Sequence, residues 1–150
     1  MQRGDFKELV QIIPVNQSVE LNLSCPNLGT ALPWDFAEVF TKYKGTSWER
    51  KWCIAKLSPL TTPEQLEFLI DDLGFRQVHF STTLPWQGAG GLSGRVLRPY
   101  TLELIRLVRE NWGDSVTIIA GGGIKNWQDM YQYLSKVQIM YHWVRCVLIR

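Results

Sequence analysis

One short segment near the N-terminus combines a strand pattern with side chains that can transfer a proton. The alternating run Val19–Ser24 is typical of a strand, and it leads directly into Cys25. Pro26 then stops strand pairing, so we expect the thiol at the carboxyl end of that strand, between the amides of Asn22 and Asn27. Because active sites of parallel α/β proteins lie at this end of their strands, the segment predicts a site for proton transfer.

A lysine within an apolar strand is the second candidate for chemistry. Lys56 lies in the run Trp52–Leu57, where a side chain that is buried without a partner would be strongly destabilising. It therefore needs an anionic or carbonyl partner. Two interpretations stay open. Lys56 is a cation that faces a ligand which becomes electron-rich, or it is a solvent-facing residue on an edge strand.

Two glycine clusters follow predicted strands, at positions 87–94 and Gly121–Gly123. Glycine lets backbone amides approach an anion closely, and a following helix start adds a favourable dipole. A phosphate is the natural ligand, whereas a long loop and a tight turn are the alternatives for the two clusters. The spacing in the first cluster matches neither a dinucleotide fingerprint nor a nucleoside-triphosphate loop.

An alternation of strands and helices positions these candidates. Repeated strand–helix units predict a parallel α/β sheet in a single domain that spans residues 1–150. About five units are present, whereas a complete barrel takes about 250 residues, so the chain is a smaller open sheet or part of a barrel. The predicted elements are strands at Val19–Ser24, Trp52–Leu57, Gln77–Phe80 and Val116–Ala120, and helices at Asp35–Tyr43, from Thr62 to Gly74, at Pro99–Asn111 and at Trp127–Leu134.

Composition excludes several classes of function. A net charge of +2 is too small to favour nucleic acid or an anionic membrane surface as a partner. No apolar run reaches the roughly 18 to 20 residues of a membrane span. The three cysteines lack paired spacing and the two histidines stand apart, so we expect no metal site and a reducing, cytoplasmic setting.

The candidate residues also occur in motifs with a familiar order: NLSCPN at 22–27, AKLSP at 55–59, STT at 81–83, GGLSG at 90–94 and AGGGI at 120–124. Together they resemble the dihydroorotate dehydrogenase family over about residues 5–135. The resemblance implies a partial (β/α)8 TIM barrel that holds roughly the last five β/α units. It also implies FMN as cofactor and oxidation of dihydroorotate to orotate in de novo pyrimidine biosynthesis.

The resemblance assigns roles to individual residues. The position of Cys25 holds the base that takes a proton from the substrate while hydride passes to the flavin, and cysteine there is typical of soluble members. Lys56 matches the lysine beside the pyrimidine edge of the flavin. The other implied contacts are to the substrate from Asn22, Asn27, Ser81 and Thr82, and to the FMN phosphate from Gly94, Gly122 and Gly123.

Departures from the family pattern leave other functions open. Ser81 stands where the family usually has asparagine. This difference suggests an alternative function, a related flavoenzyme that acts on another dihydropyrimidine or on an enoate. The GGLSG motif is more typical of membrane-linked members. The similarity covers only the later part of such a barrel. A second copy in a homodimer or a separate N-terminal half-barrel could complete it, or the chain is an inactive fragment or interaction module.

Overall fold

The computed structural model describes residues 12–14, 17–24, 53–80, 83–85 and 91–134. The strands within them are β1 Val19–Asn22, β2 Cys53–Leu57, β3 Gln77–Phe80, β4 Leu84–Pro85, β5 Gly91–Leu92 and β6 Thr117–Ala120, and the α-helices are α1 Pro63–Glu67, α2 Arg98–Trp112 and α3 Trp127–Leu134. Four strands form a parallel sheet in the order β1-β2-β3-β6. The predicted parallel α/β architecture is therefore confirmed.

The two faces of this sheet differ in burial. One face carries the buried side chains of Leu21, Ala55, Leu57, Val78 and Phe80. The core that they share with the following helical segments also contains Leu66, Leu69, Ile70, Leu104, Ile105 and Val108. Each large apolar side chain buried in this way contributes about 1.5 to 3 kcal/mol. The opposite face, which we call the open face, consists of Glu20, Asn22, Ile54, Lys56, Gln77, His79, Thr117 and Ile119, and it is only partly buried.

The helical segment after β2 begins and ends as its sequence predicts. Thr62 caps the start: its hydroxyl accepts from the backbone N–H of Gln65, whose side chain accepts in return from the N–H of Thr62, with Pro63 in the first turn. The segment widens into a π-helical turn over Phe68–Asp72, which the apolar periodicity did not predict. Gly74 follows with a φ of 75°, the left-handed conformation that commonly ends a helix.

A small antiparallel pair replaces part of the loop predicted at 87–94. In it, Leu84 pairs with Leu92 and Pro85 with Gly91. A Cβ on Gly91 would lie 2.1 Å from Oγ1 of Thr83, so only glycine fits in this close approach. The prediction of an unpaired loop was wrong at Gly91 and Leu92 because two-residue strands carry no periodic signal.

The other predicted elements agree closely with the structure where it describes them. Strand β1 ends at Asn22 and β6 begins at Thr117, while α2 is one residue longer at each end than Pro99–Asn111 and α3 has the predicted bounds. The predicted helix Asp35–Tyr43 and the tail 137–150 lie outside the described residues. In the part of the chain that is described, no helix has both the length and the apolar character needed to cross a bilayer.

Candidate active site at the carboxyl ends of the strands

The register of the parallel sheet places three polar side chains in one row. Asn22 pairs with Lys56, and Lys56 pairs with His79 on the next strand. Because paired positions of parallel strands project to the same face, all three belong to the open face. Lys56 lies on β2, between β1 and β3, so the interpretation of this lysine as an edge-strand residue is wrong.

Lys56 has the anionic partner that its sequence position requires. Its Nζ lies 3.8 Å from Oε1 of Glu20, and Oε2 of the same carboxylate lies 2.7 Å from Nδ1 of His79. The side chains of Lys56 and His79 are 24% and 18% exposed, and that of Glu20 is 37% exposed. Neither Glu20 nor His79 was predicted as a site residue. Strand alternation would have placed Glu20 on the same face as Asn22.

A turn follows strand β1 at Leu23 and Ser24, and the side chain of Asn22 stabilises it. Oδ1 of Asn22 accepts from the hydroxyl of Ser24 at 2.7 Å and from the backbone N–H of Ser24 at 3.3 Å. The backbone N–H of Leu23 donates to the carbonyl of Lys56 at 2.9 Å, so the chain still lies beside β2 at this point. Cys25 comes next in sequence; it lies outside the described residues, as do Asn27, Ser81 and Thr82.

Gly94, the last residue of the first glycine cluster, meets the Gly121–Gly123 segment at the same end of the sheet. Gly121 follows β6, and its N–H donates to the carbonyl of Phe80 at 2.9 Å. Gly123 has a φ of 72°, and a Cβ on it would lie 2.8 Å from the carbonyl oxygen of Gly94. Gly94 itself has a φ of 88°, and a Cβ on it would meet no other atom within 4 Å. The structure therefore brings together two of the three glycines predicted to bind phosphate. A Cβ on the third, Gly122, would lie 3.1 Å from Cδ1 of Leu97.

Two side chains from neighbouring helices fix the Gly121–Gly123 segment. The hydroxyl of Tyr133 donates to the carbonyl of Gly122 at 2.6 Å, and that of Thr101 donates to the carbonyl of Gly121 at 3.5 Å. Burial raises the pKa of Tyr133 above its ordinary value of 10.0, so the phenol stays protonated as a donor. Because the carbonyls of Gly121 and Gly122 accept these hydrogen bonds, the segment keeps a fixed backbone conformation.

Cationic side chains lie beside this segment around one buried carboxylate. Asp129 is only 4% exposed, and its Oδ1 lies 3.0 Å from Nη2 of Arg98. The backbone N–H of Lys125 donates to Asp129 and lowers the pKa of its carboxyl; the charges of Arg98 and Arg95 act in the same direction, while burial opposes them. Nε of Arg98 is buried and makes no hydrogen bond within the described part of the chain. The charge of Arg98 is offset by the neighbouring Asp129 carboxylate.

Within the described ranges, no three His, Cys, Asp or Glu residues cluster closely enough to hold a metal ion. The described sheet instead carries a row of polar side chains on β1 to β3. Glycine backbone and guanidinium groups lie at the same end of the sheet. This arrangement can hold a long ligand that is anionic at one end.

Comparison with known proteins assigns the chain to a family. A family model described as dihydroorotate dehydrogenase matches residues 1–138. The chain belongs to the dihydroorotate dehydrogenase family. The resemblance drawn from its motifs is thereby confirmed, and the family consists of oxidoreductases.

Individual members of the dihydroorotate dehydrogenase family match over different lengths. The catalytic subunit of dihydroorotate dehydrogenase B (NAD(+)) from Endomicrobium trichonymphae is 29% identical over 87% of this chain and 48% of its own. A dihydroorotate dehydrogenase (quinone) from Pseudarthrobacter chlorophenolicus is 45% identical, over 31% of this chain and 13% of its own.

The solved dihydroorotate dehydrogenase from Eimeria tenella in complex with ferulenol superposes with a TM-score of 0.65 at 20% identity, covering 89% of this chain and 46% of that one. At this identity the likeness concerns the fold, which is that of part of a TIM barrel. The chain spans about half the length of the relatives that it matches along most of its sequence.

Proposed function

We propose that this protein is an FMN-dependent dehydrogenase that oxidises dihydroorotate to orotate in de novo pyrimidine biosynthesis. The observation that carries the proposal is the convergence of Lys56 and Asn22 with the Gly94–Gly123 contact at one end of one parallel sheet. The family match supports the same reaction. Residues 1–150 then form a single barrel portion that carries the FMN site.

The residues at the glycine contact fit the phosphate of FMN. Backbone N–H groups of Gly94, Gly122 and Gly123 would hold the phosphate. Gly123 and Gly94 are in close contact, because a Cβ on Gly123 would lie 2.8 Å from the Gly94 carbonyl oxygen. Lys56 would lie beside the pyrimidine edge of the flavin, where its ammonium favours the electron-rich reduced form.

Bound FMN would supply the hydride acceptor, and the chain itself supplies the acid–base chemistry and the orientation of the substrate. Cys25 is the base that takes the proton from the carbon adjacent to the one that loses hydride. A thiol does this efficiently only when its pKa is brought close to the working pH. Asn22, Asn27, Ser81 and Thr82 are the residues that bind and orient the substrate through their amide and hydroxyl groups.

One observation favours a second candidate, a related flavoenzyme acting on another dihydropyrimidine. Ser81 is shorter than the asparagine usual in the family and has no amide, which weakens recognition of the orotate ring and carboxylate. Two residues earlier, His79 adds an imidazole to the open face.

A completed barrel requires further strands beside the described sheet. Strands β1 and β6 each pair on one side only within the described residues, and the open face between them is only partly buried. A second copy of the chain or an N-terminal half-barrel is the partner that would cover them. We place the protein in the cytoplasm, where its thiols would stay reduced. Without such a partner the chain would act as an inactive fragment or interaction module.

A titration and a substrate panel test the proposal on protein expressed from its complete native reading frame. FMN and riboflavin are titrated separately, and the flavin fluorescence is followed; phosphate recognition predicts at least about tenfold tighter binding of FMN. The FMN-loaded protein is then mixed without oxygen with dihydroorotate, dihydrouracil or an enoate. Rapid loss of the oxidised-flavin band with dihydroorotate alone supports the proposal. Preference for dihydrouracil supports the second candidate, and equal, weak binding of both flavins contradicts a flavoenzyme.

A further inference from the structure

Glu20 joins two basic side chains from two different strands. It lies on β1, and its carboxylate uses one oxygen for each partner: Oε1 faces Nζ of Lys56 on β2, and Oε2 faces Nδ1 of His79 on β3. The 2.7 Å contact to His79 is a hydrogen bond, whereas the 3.8 Å contact to Lys56 is an ion pair without the length of a hydrogen bond. The imidazole therefore fixes the carboxylate, and the carboxylate attracts the ammonium.

Among the open-face residues that the structure describes, no other ionisable group competes for this carboxylate. The remaining open-face side chains of β2, β3 and β6 in the described sheet are Ile54, Gln77, Thr117 and Ile119, none of which titrates. The side chain of Gln77 accepts from the backbone N–H of Cys53 at 2.7 Å. Glu20 is therefore the one carboxylate for Lys56 among the described residues of this face, and the direction of the ammonium depends on how that carboxylate is held.

We propose that Glu20 is a positioning residue for Lys56, with His79 as the hydrogen-bond donor that fixes the Glu20 carboxylate. A lysine side chain has a flexible four-carbon stem, so its ammonium takes a defined place only when a partner holds it. The consequence for a cofactor rests on the proposed function: a fixed Lys56 ammonium stabilises the reduced flavin more than a freely moving one.

The first experiment needs no cofactor. Protein expressed from its complete native reading frame is treated with a trace of acetic anhydride, and acetylation of Lys56 is measured by mass spectrometry relative to Lys125 in the same sample. Glu20→Asp keeps the charge but withdraws the oxygens by about 1.5 Å, the length of one C–C bond. We expect this variant to raise the relative acetylation of Lys56 by about 2- to 5-fold, the range for a partly exposed ion pair.

Two further variants complete this measurement. His79→Ala should also raise the relative acetylation of Lys56, because it removes the hydrogen bond that holds the Glu20 carboxylate. Glu110→Asp is the matched control: Glu110 pairs with Arg106 on α2, so the same substitution there should leave the ratio unchanged. Circular dichroism verifies that each variant is folded. An unchanged ratio in folded Glu20→Asp would overturn the positioning role.

The second experiment measures separately how Glu20 affects the redox potential of the cofactor. The midpoint potential of bound FMN is measured by dye-coupled reduction in the native protein, in Glu20→Asp and in Glu110→Asp. A shift to lower potential in Glu20→Asp alone is expected, since the ammonium is held less firmly beside the flavin. Raised acetylation without FMN binding would keep the Glu20–Lys56 pair and refute the proposed function. Raised acetylation with an unchanged potential would refute the effect on the cofactor.

Discussion

A Cβ atom on Gly123 would lie 2.8 Å from the carbonyl oxygen of Gly94, so the loops after two different strands touch where a side chain does not fit. Gly123 follows β6, whereas Gly94 precedes α2. The contact brings the backbone of both loops to one end of the parallel sheet. Under the proposed function, that backbone would hold the phosphate of FMN.

Gly123→Ala should weaken FMN binding and lower stability together. The new methyl group would meet the Gly94 carbonyl, and the residue would keep a left-handed φ of 72°, so we expect a loss of about 1 to 3 kcal/mol in the free energy of unfolding. Gly113→Ala is the matched control, because Gly113 also has a positive φ but open space around it. It should lower stability without changing FMN affinity, as measured by urea unfolding and FMN titration. Equal FMN affinity in both variants would contradict the phosphate site.

Tyr133→Phe should loosen the Gly121–Gly123 segment with little change elsewhere. The substitution removes the donor to the Gly122 carbonyl, which costs about 1 kcal/mol in the free energy of unfolding and lowers FMN affinity. Tyr131→Phe on the same helix is the control, because Tyr131 is 68% exposed. Thermal unfolding with and without FMN measures both effects. A matching loss in Tyr131→Phe would show that the hydroxyl of Tyr133 has no special role.

Asp129 should make stability depend on pH on the acid side. Its carboxyl has a lower pKa in the folded protein than its ordinary value of 3.8, so it contributes stability above that value and loses it as the pH falls through the folded pKa. Asp129→Asn should therefore be less stable than the native protein near neutral pH, and the difference should shrink below about pH 4. Urea unfolding at several pH values measures this. Asp114→Asn, which replaces a largely exposed carboxylate, should show little difference.

The sequence predicted the strands of the main sheet well because their apolar residues recur in phase and are bounded by Pro and Gly. It also placed Lys56 and the three glycines proposed to bind phosphate in motifs whose described residues lie at one end of the sheet. Glu20 and His79 were missed because their contact joins residues 59 positions apart, across a strand that lies between them. Strand register sets such a contact, and a local pattern does not reveal it.

The π-helical turn at Phe68–Asp72 was missed for a similar reason. Its apolar residues fit an ordinary helix equally well, and its carbonyls also accept hydrogen bonds from residues later in the chain. One such contact is the donation from the guanidinium of Arg76 to the carbonyl of Ile70 at 2.7 Å. Sequence periodicity carries no information about this carbonyl.

Substrate-driven flavin reduction in a Cys25→Ala variant tests the central claim most directly. FMN-loaded native protein and the variant are mixed with dihydroorotate in the absence of oxygen, and the oxidised-flavin absorbance is followed, with Cys146→Ser as the control for loss of a thiol. The account predicts fast reduction in the native protein and the control, and a rate at least about 100-fold lower in Cys25→Ala, the usual contribution of a general base. Reduction at the native rate in Cys25→Ala would contradict it.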